Sequence, residues 1–187
     1  MNMTVKAGAM MGFLSITGSE TKADQLIESF GADADRRWGY VQDGVMGGVS
    51  QGQMRLENEG DTSFARLTGT VSTDNNGGFI QFRAGITAGF PDWAQAIRLR
   101  VKGNGESYYV FLRTTDRMRP WHSYRAEFDT SEDWQLVDLP LSSFKPSHDA
   151  LPIDLDPAKI SGIGFVAYGR DFEADLSVAE LHLIGAN

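Results

Sequence analysis

Ile97-Arg98-Leu99-Arg100-Val101-Lys102 decides the fold of this chain. Its apolar and basic side chains alternate at period two, a pattern that a helix would scatter around its circumference and a strand sorts onto two faces. Working outward, Tyr124, Ala126 and Phe128 alternate in the same way with Arg125, Glu127 and Asp129. Residues 108–112 are apolar throughout, which reads as a central strand covered on both faces. Stretches 64–71, 78–83, 134–139, 160–167 and 176–184 read as further strands, and 51–57 and 26–30 as weaker ones. Turn chemistry separates them at Asn75-Asn76-Gly77-Gly78, Lys102-Gly103-Asn104-Gly105 and Thr130-Ser131-Glu132-Asp133. Nine or ten short strands spaced in this way predict an all-β antiparallel sandwich, a jelly roll. Helix is expected only as single turns at 92–96 and 141–144 and as a short segment over 24–29.

The 187 residues suit one large domain over 26–187, preceded by an extension over 1–25. Lys6 leads into a weakly apolar run at 7–17, and Thr21-Lys22-Ala23 has the small-residue character of a cleavage site. Residues 1–23 therefore read as a loose extension or as a signal peptide. The first places the protein in the cytoplasm, associated with membranes through a partner; the second exports it to the periplasm. No stretch approaches the roughly 18–20 apolar residues of a spanning helix, so no integral membrane segment is expected.

With no cysteine, disulfides, thiolate nucleophiles and cysteine zinc sites are excluded. The net charge of −8 argues against nucleic acid as a partner. That charge is unevenly spread. Residues 98–125 hold seven basic side chains against two acidic ones, whereas 126–187 hold three against twelve. The basic stretch reads either as the wet faces of strands or as an oriented contact, with Arg113, Arg117 and Arg119 as its candidate contact residues.

Asp43-Gly44-Val45-Met46-Gly47-Gly48-Val49-Ser50 is the most glycine-rich segment. It precedes a strand, not a helix, and no Gly-Lys-Ser/Thr follows, so it lacks the parts of a phosphate loop. Its glycines allow a sharp turn, with Met46 filling a gap in the core, while the functional alternative makes Asp43 and Ser50 part of an exposed binding rim. Asn75 and Asn76 read similarly, as a tight turn or as amides available to sugar hydroxyls.

Catalytic groups are scarce. His122, His148 and His182 lie on separate segments without metal-ligand spacing. Ser50 or Ser123 can be combined with a histidine on paper, but no nucleophile elbow is present. The chain is expected not to be an enzyme and to need no cofactor; a catalytic reading requires a deep pocket in which His122 meets a carboxylate. Among the aromatics, Trp134 begins a strand and is expected in the core, whereas Trp121 sits between Pro120 and His122 near Arg117 and Arg119, a surface setting.

Trp38 with residues 43–50, then Phe64, Gly69 and Asn75-Asn76-Gly77-Gly78-Phe79, resemble the signature of the complex I intermediate-associated protein 30 family. Trp134-Gln135-Leu136-Val137-Asp138-Leu139-Pro140, Phe144 and Ile160-Ser161-Gly162-Ile163-Gly164-Phe165 continue it, from Phe30 to Ile184 in all. The resemblance implies a galactose-binding-like jelly roll and, from its mitochondrial members, assembly of respiratory complex I by holding partly built intermediates. It carries over no catalytic residues. Two function classes follow: a chaperone-like adaptor for a protein partner, and a carbohydrate-binding module using Trp121, Tyr124 and the Asn75–Asn76 loop. His122 borders both sets of residues.

Overall fold

The computed structural model describes residues 23–185. The expected extension or leader over 1–25 falls, up to residue 22, outside the described residues. In chain order the elements are β1 (Asp24–Glu28), α1 (Ala34–Arg37), β2 (Gly39–Gln42), β3 (Gln51–Glu59), β4 (Thr62–Val71), β5 (Phe79–Gly85) and β6 (Ala96–Gly103). Then follow β7 (Ser107–Thr114), β8 (Tyr124–Asp129), β9 (Gln135–Pro140), β10 (Lys145–Pro146), β11 (Ile160–Tyr168) and β12 (Phe172–Ile184). Short 3-10 turns at Asp43–Met46, Asp74–Asn76, Leu141–Ser143 and Pro157–Lys159 link them.

The strands form two antiparallel sheets packed as a jelly-roll sandwich, as the alternation predicted. In the first, the order is β3-β4-β12-β6-β9. Thirteen-residue β12 is long enough to carry β6 along one edge and β4, then β1, along the other. The second sheet runs β10-β8-β7-β11-β5-β2.

The inward-facing sets meet in one continuous core. Ile97, Leu99 and Val101 are fully buried, and so are Tyr108, Val110 and Leu112 across from them. Trp38, Phe30, Phe82 and Phe165 make an aromatic cluster with centroids 5.1–6.1 Å apart. Burying rings of this size outweighs the cost of ordering them, and truncating one costs about 3–5 kcal/mol. A buried tyrosine makes a polar link across the sandwich. Tyr108, from the second sheet, accepts the Asp175 N–H of the first at 2.8 Å and donates to Asn104 Oδ1 at 2.7 Å.

Four expectations are corrected. Residues 24–29 are not helical: β1 pairs antiparallel with the end of β12, with a register shift between Leu26 and Glu28, and the edge position leaves Leu26 and Ile27 exposed. Residues 92–96 hold no helical turn: Asp92 and Trp93 form a turn and Ala96 already opens β6. Met46 is outside the core at 56% exposure. Trp134 is half-buried on the outer face of the first sheet, edge-on to Phe64 at 5.4 Å with the Lys102 ammonium 4.8 Å above its ring.

Candidate functional site

Asp43 and Ser50 do not form an exposed rim. Both are buried, because the two glycine-rich segments close around the Asp43 carboxylate. That carboxylate accepts the Ser50 hydroxyl at 2.5 Å and the N–H groups of Ser50 (3.1 Å), Gly78 (2.6 Å) and Phe79 (3.2 Å). A Cβ at Gly48 would lie 2.3 Å from Asp43 Cγ and one at Gly77 2.5 Å from Asp43 Oδ2, so the motif leaves room for one acid and nothing more. Burial pushes the carboxyl upward, but the Ser50 hydroxyl and the surrounding N–H groups outweigh it and hold Asp43 below the ordinary carboxylate value. Asn75 and Asn76 stay exposed, both in the left-handed region at φ 55° and 59°, and present this knot to solvent. The segment is a clasp between β2, β3 and β5.

The opposite end of the second sheet is built differently. Residues opposed across antiparallel ladders share a face. One outer row therefore runs Lys145, Arg125, Phe111, Gly164, Arg83. The next brings together Arg113, Gly162 and Gly85, and the row on the other side Glu127, Tyr109, Val166 and Gln81. Tyr109, Phe111 and Tyr168 pack edge to face, centroids 5.4–6.1 Å apart. The Arg125 guanidinium lies 4.4 Å over Phe111 and 4.8 Å over Tyr168, and donates to the Tyr168 hydroxyl at 3.0 Å. This aromatic face was hidden in the sequence, where 108–112 reads as covered on both sides. The hydroxyl-bearing rings of Tyr109 and Tyr168, which suit a face with one wet side, were the available signal.

At the arginine end lies a cleft of about 350 Å³ bounded by Arg37, Arg83, Arg113, Arg117, Pro120 and the Ser161-Gly162 edge of β11. Arg37 is held at its rim by Glu28, a mostly buried acid that also accepts Trp38 Nε1 at 2.9 Å and the Phe30 N–H at 2.7 Å. Arg117 donates to Thr114 O and Ser161 Oγ, each at 2.9 Å. Arg113 lies across the glycine floor: a Cβ at Gly164 would stand 3.5 Å from its Nη1 and 3.0 Å from Gln81 Oε1. Its Nη2 donates to Gln81 Oε1 at 3.2 Å, while its Nε is buried without a partner. Among the described residues no carboxylate pairs with Arg83, Arg113, Arg117 or Arg125. Burial first, and then Arg83, Arg117 and Arg125, push the Arg113 pKa down to about 10, leaving it charged at neutral pH.

The basic stretch 98–125 thus divides in two. Arg98 is bidentate to Asp138 at 2.7 and 2.8 Å, Arg100 pairs with Glu180 and Lys102 with Glu59, all on the outer face of the first sheet. Arg113 and Arg117 stand at the cleft. Arg119 is exposed on the β7–β8 loop, 5.9 Å from the ring of Trp121, itself 51% exposed. Asp43 lies at the start of β5 and the cleft at its end, so Trp121 and Arg113 share a region that Asp43 does not.

Two further candidates are buried. Tyr124 belongs to the inward face of β8, 1% exposed, its hydroxyl donating to Pro152 O at 2.9 Å. His122 is 5% exposed and stacks on His148 with centroids 4.6 Å apart. Burial, His148 and Arg119 together hold its pKa below the usual imidazole value. Its stacking partner is another imidazole, not a carboxylate. Among the described residues no group of three or more acidic or histidine side chains is arranged to hold a metal ion, and no helix is long and apolar enough to cross a membrane.

The fold resembles solved carbohydrate-binding modules. The family 11 module of the cellulosomal cellulase Lic26A-Cel5E of Clostridium thermocellum superposes with a TM-score of 0.72 at 17% identity, covering 88% of this chain and 95% of the module. The family 11 module from Clostridium thermocellum in complex with a β-1,3-1,4-mixed-linked tetrasaccharide gives 0.71 at 17% identity, over 87% and 96%. An exo-β-agarase matches at 0.58 and 8% identity, over 87% of this chain and 25% of the enzyme. At such identities the likeness concerns fold. No curated protein is matched by this sequence. The model of the family Complex I intermediate-associated protein 30 (CIA30) matches residues 28–178, most of the described sandwich, and the chain belongs to that family.

Proposed function

We propose that the chain is a non-catalytic adaptor that docks a protein partner on the outer face of its second sheet, in the manner of an assembly factor. One observation carries this reading: among the described residues the arginines of that face have no acidic partners, whereas the basic side chains of β6 on the other sheet are paired. Arginine and tyrosine on a partly desolvated surface are the residue types that dominate protein recognition. Unpaired guanidinium groups add steering toward an acidic surface. The family name suggests an intermediate of respiratory complex I as the partner. The test is affinity capture from native membranes under conditions that preserve assembly intermediates. Complex I subunits should be recovered with the native chain and lost with Arg83, Arg117 and Arg119 replaced by Glu. Recovery without any complex I subunit rejects the assembly role, and unchanged recovery with the variant rejects this face.

A second reading rests on Tyr109, Phe111 and Tyr168, whose rings lie together on the same face as a stacking platform would. In the carbohydrate-binding reading, a glycan array that includes β-1,3-1,4-linked glucan gives signals that disappear with Tyr109→Ala and Tyr168→Ala. A flat array removes it.

A further inference from the structure

The cleft at the end of β5, β7 and β11 concentrates positive charge in a way the fold alone does not require. Three guanidinium groups, those of Arg83, Arg113 and Arg117, face it without a carboxylate, and the fourth, Arg37, is already held by Glu28. None of the residues lining it is acidic. Like charges brought together and partly withdrawn from water repel, and a buried donor left unmade is costly, so the arrangement is destabilising until something anionic enters. The backbone has been cleared for it. Gly162 and Gly164 occupy the outward positions of β11, where a Cβ would crowd Ala84 O at 3.2 Å and Gln81 Oε1 at 3.0 Å and take up part of the trough.

We propose that this cleft is a binding site for a small oxyanion ligand, one carrying two or more carboxylate or phosphate groups, seated between Arg83, Arg113 and Arg117. A guanidinium presents its donors in a planar fork that matches either oxyanion. In Arg113 Gln81 answers Nη2 alone and Nε is buried without a partner, so the guanidinium is short of acceptors. The volume of about 350 Å³ suits a molecule of metabolite size. This inference deepens the reading that the arginine end of the second sheet is the binding face, with a small anion as its own ligand or as a co-ligand of the partner.

The test is titration calorimetry on the purified chain with citrate as the carboxylate probe and pyrophosphate as the phosphate probe, at matched ionic strength set with chloride. Saturable binding of at least one probe, with a matching rise in melting temperature, is expected. Which probe binds more tightly identifies the source of the oxyanion. Arg113→Met and Arg83→Gln should each weaken that binding about tenfold or more, while Arg98→Gln, which removes the same charge from the paired face, should leave it unchanged. Arg83 is exposed, so its variant keeps the test intact should Arg113→Met fail to fold. No saturable binding of either probe overturns the proposal. So does equal loss in Arg98→Gln, which would mean general charge attraction, and so does binding of a poly-glutamate peptide without either small probe. The adaptor reading is judged separately by capture of complex I subunits: capture without anion binding sinks only the oxyanion site, and anion binding without capture sinks only the adaptor.

Discussion

Asp43 and Arg113 are charged groups withdrawn from water at the two ends of β5, and the protein treats them in opposite ways. Around Asp43 every nearby donor turns inward: a hydroxyl and three N–H groups satisfy one carboxylate, and glycines clear the space it fills. Around Arg113 glycines clear space as well, but the partners are missing; a single amide oxygen answers the fork, and the nearest charges repel it. A satisfied buried charge holds a fold together, while an unsatisfied one is retained at the expense of stability, and that expense makes sense where a ligand completes the site. The difference separates the glycines that enclose a satisfied acid from those that lie beneath an unsatisfied base.

The largest effect should come from the satisfied end. Asp43→Ala strands the Ser50, Gly78 and Phe79 donors and should cost about 3 kcal/mol or more in denaturant unfolding. Gly48→Val, which drives a side chain into that carboxylate, should be similarly severe, and a loss below about 1 kcal/mol in both would break the contrast. Acid titration reads the same end. The folded-state pKa of Asp43, and of Glu28, lies below its unfolded value. The unfolded chain therefore takes up protons first, so the stability these groups contribute is present above about pH 4–5 and is lost as pH falls through the depressed values. Unfolding midpoints should be level from about pH 5 to 7 and drop below about pH 4, with a shallower drop in Asp43→Asn.

At the unsatisfied end the sign should reverse. Arg113→Met removes a desolvated, repelled cation and should leave stability unchanged or raise it by up to about 1 kcal/mol. A loss of 2 kcal/mol or more by thermal unfolding would show that Arg113 is structural after all. The smallest effect should come from the first sheet. Breaking the half-exposed Arg98–Asp138 pair with Arg98→Ala should cost only about 0.5–1 kcal/mol and move no binding signal.

Most of the architecture was readable from alternation, because each strand of a sandwich carries its own record of which side is wet. Where that record failed, the reasons are local. The strand Asp24–Glu28 lies at an edge with four of its five residues exposed, so neither period two nor helical periodicity could declare it. Tyr124 sat in the inward set with Ala126 and Phe128 from the start, and its assignment as a ligand contact ran against that pattern. The candidate site was harder to see. Arg113 and Arg117 stood out as basic residues, but that Gly162 and Gly164 lie beneath Arg113, or that Arg83 and Arg37 join it, depends on ladder register between segments far apart in sequence. Asp43 showed the converse limit. Its motif was conspicuous, yet composition cannot tell an acid facing solvent from one enclosed by amides.

The tyrosine that spans the sandwich turns one amide into a gauge of the whole assembly. The Asp175 N–H is held by the Tyr108 hydroxyl rather than by a neighbouring strand, so its protection depends on the two sheets staying in contact. In hydrogen exchange it should become labile whenever the layers part, even while the ladders on either side of it remain closed. Its exchange rate relative to its neighbours in β12 would then report breathing between the layers, and a ligand that bridged them would slow this amide first.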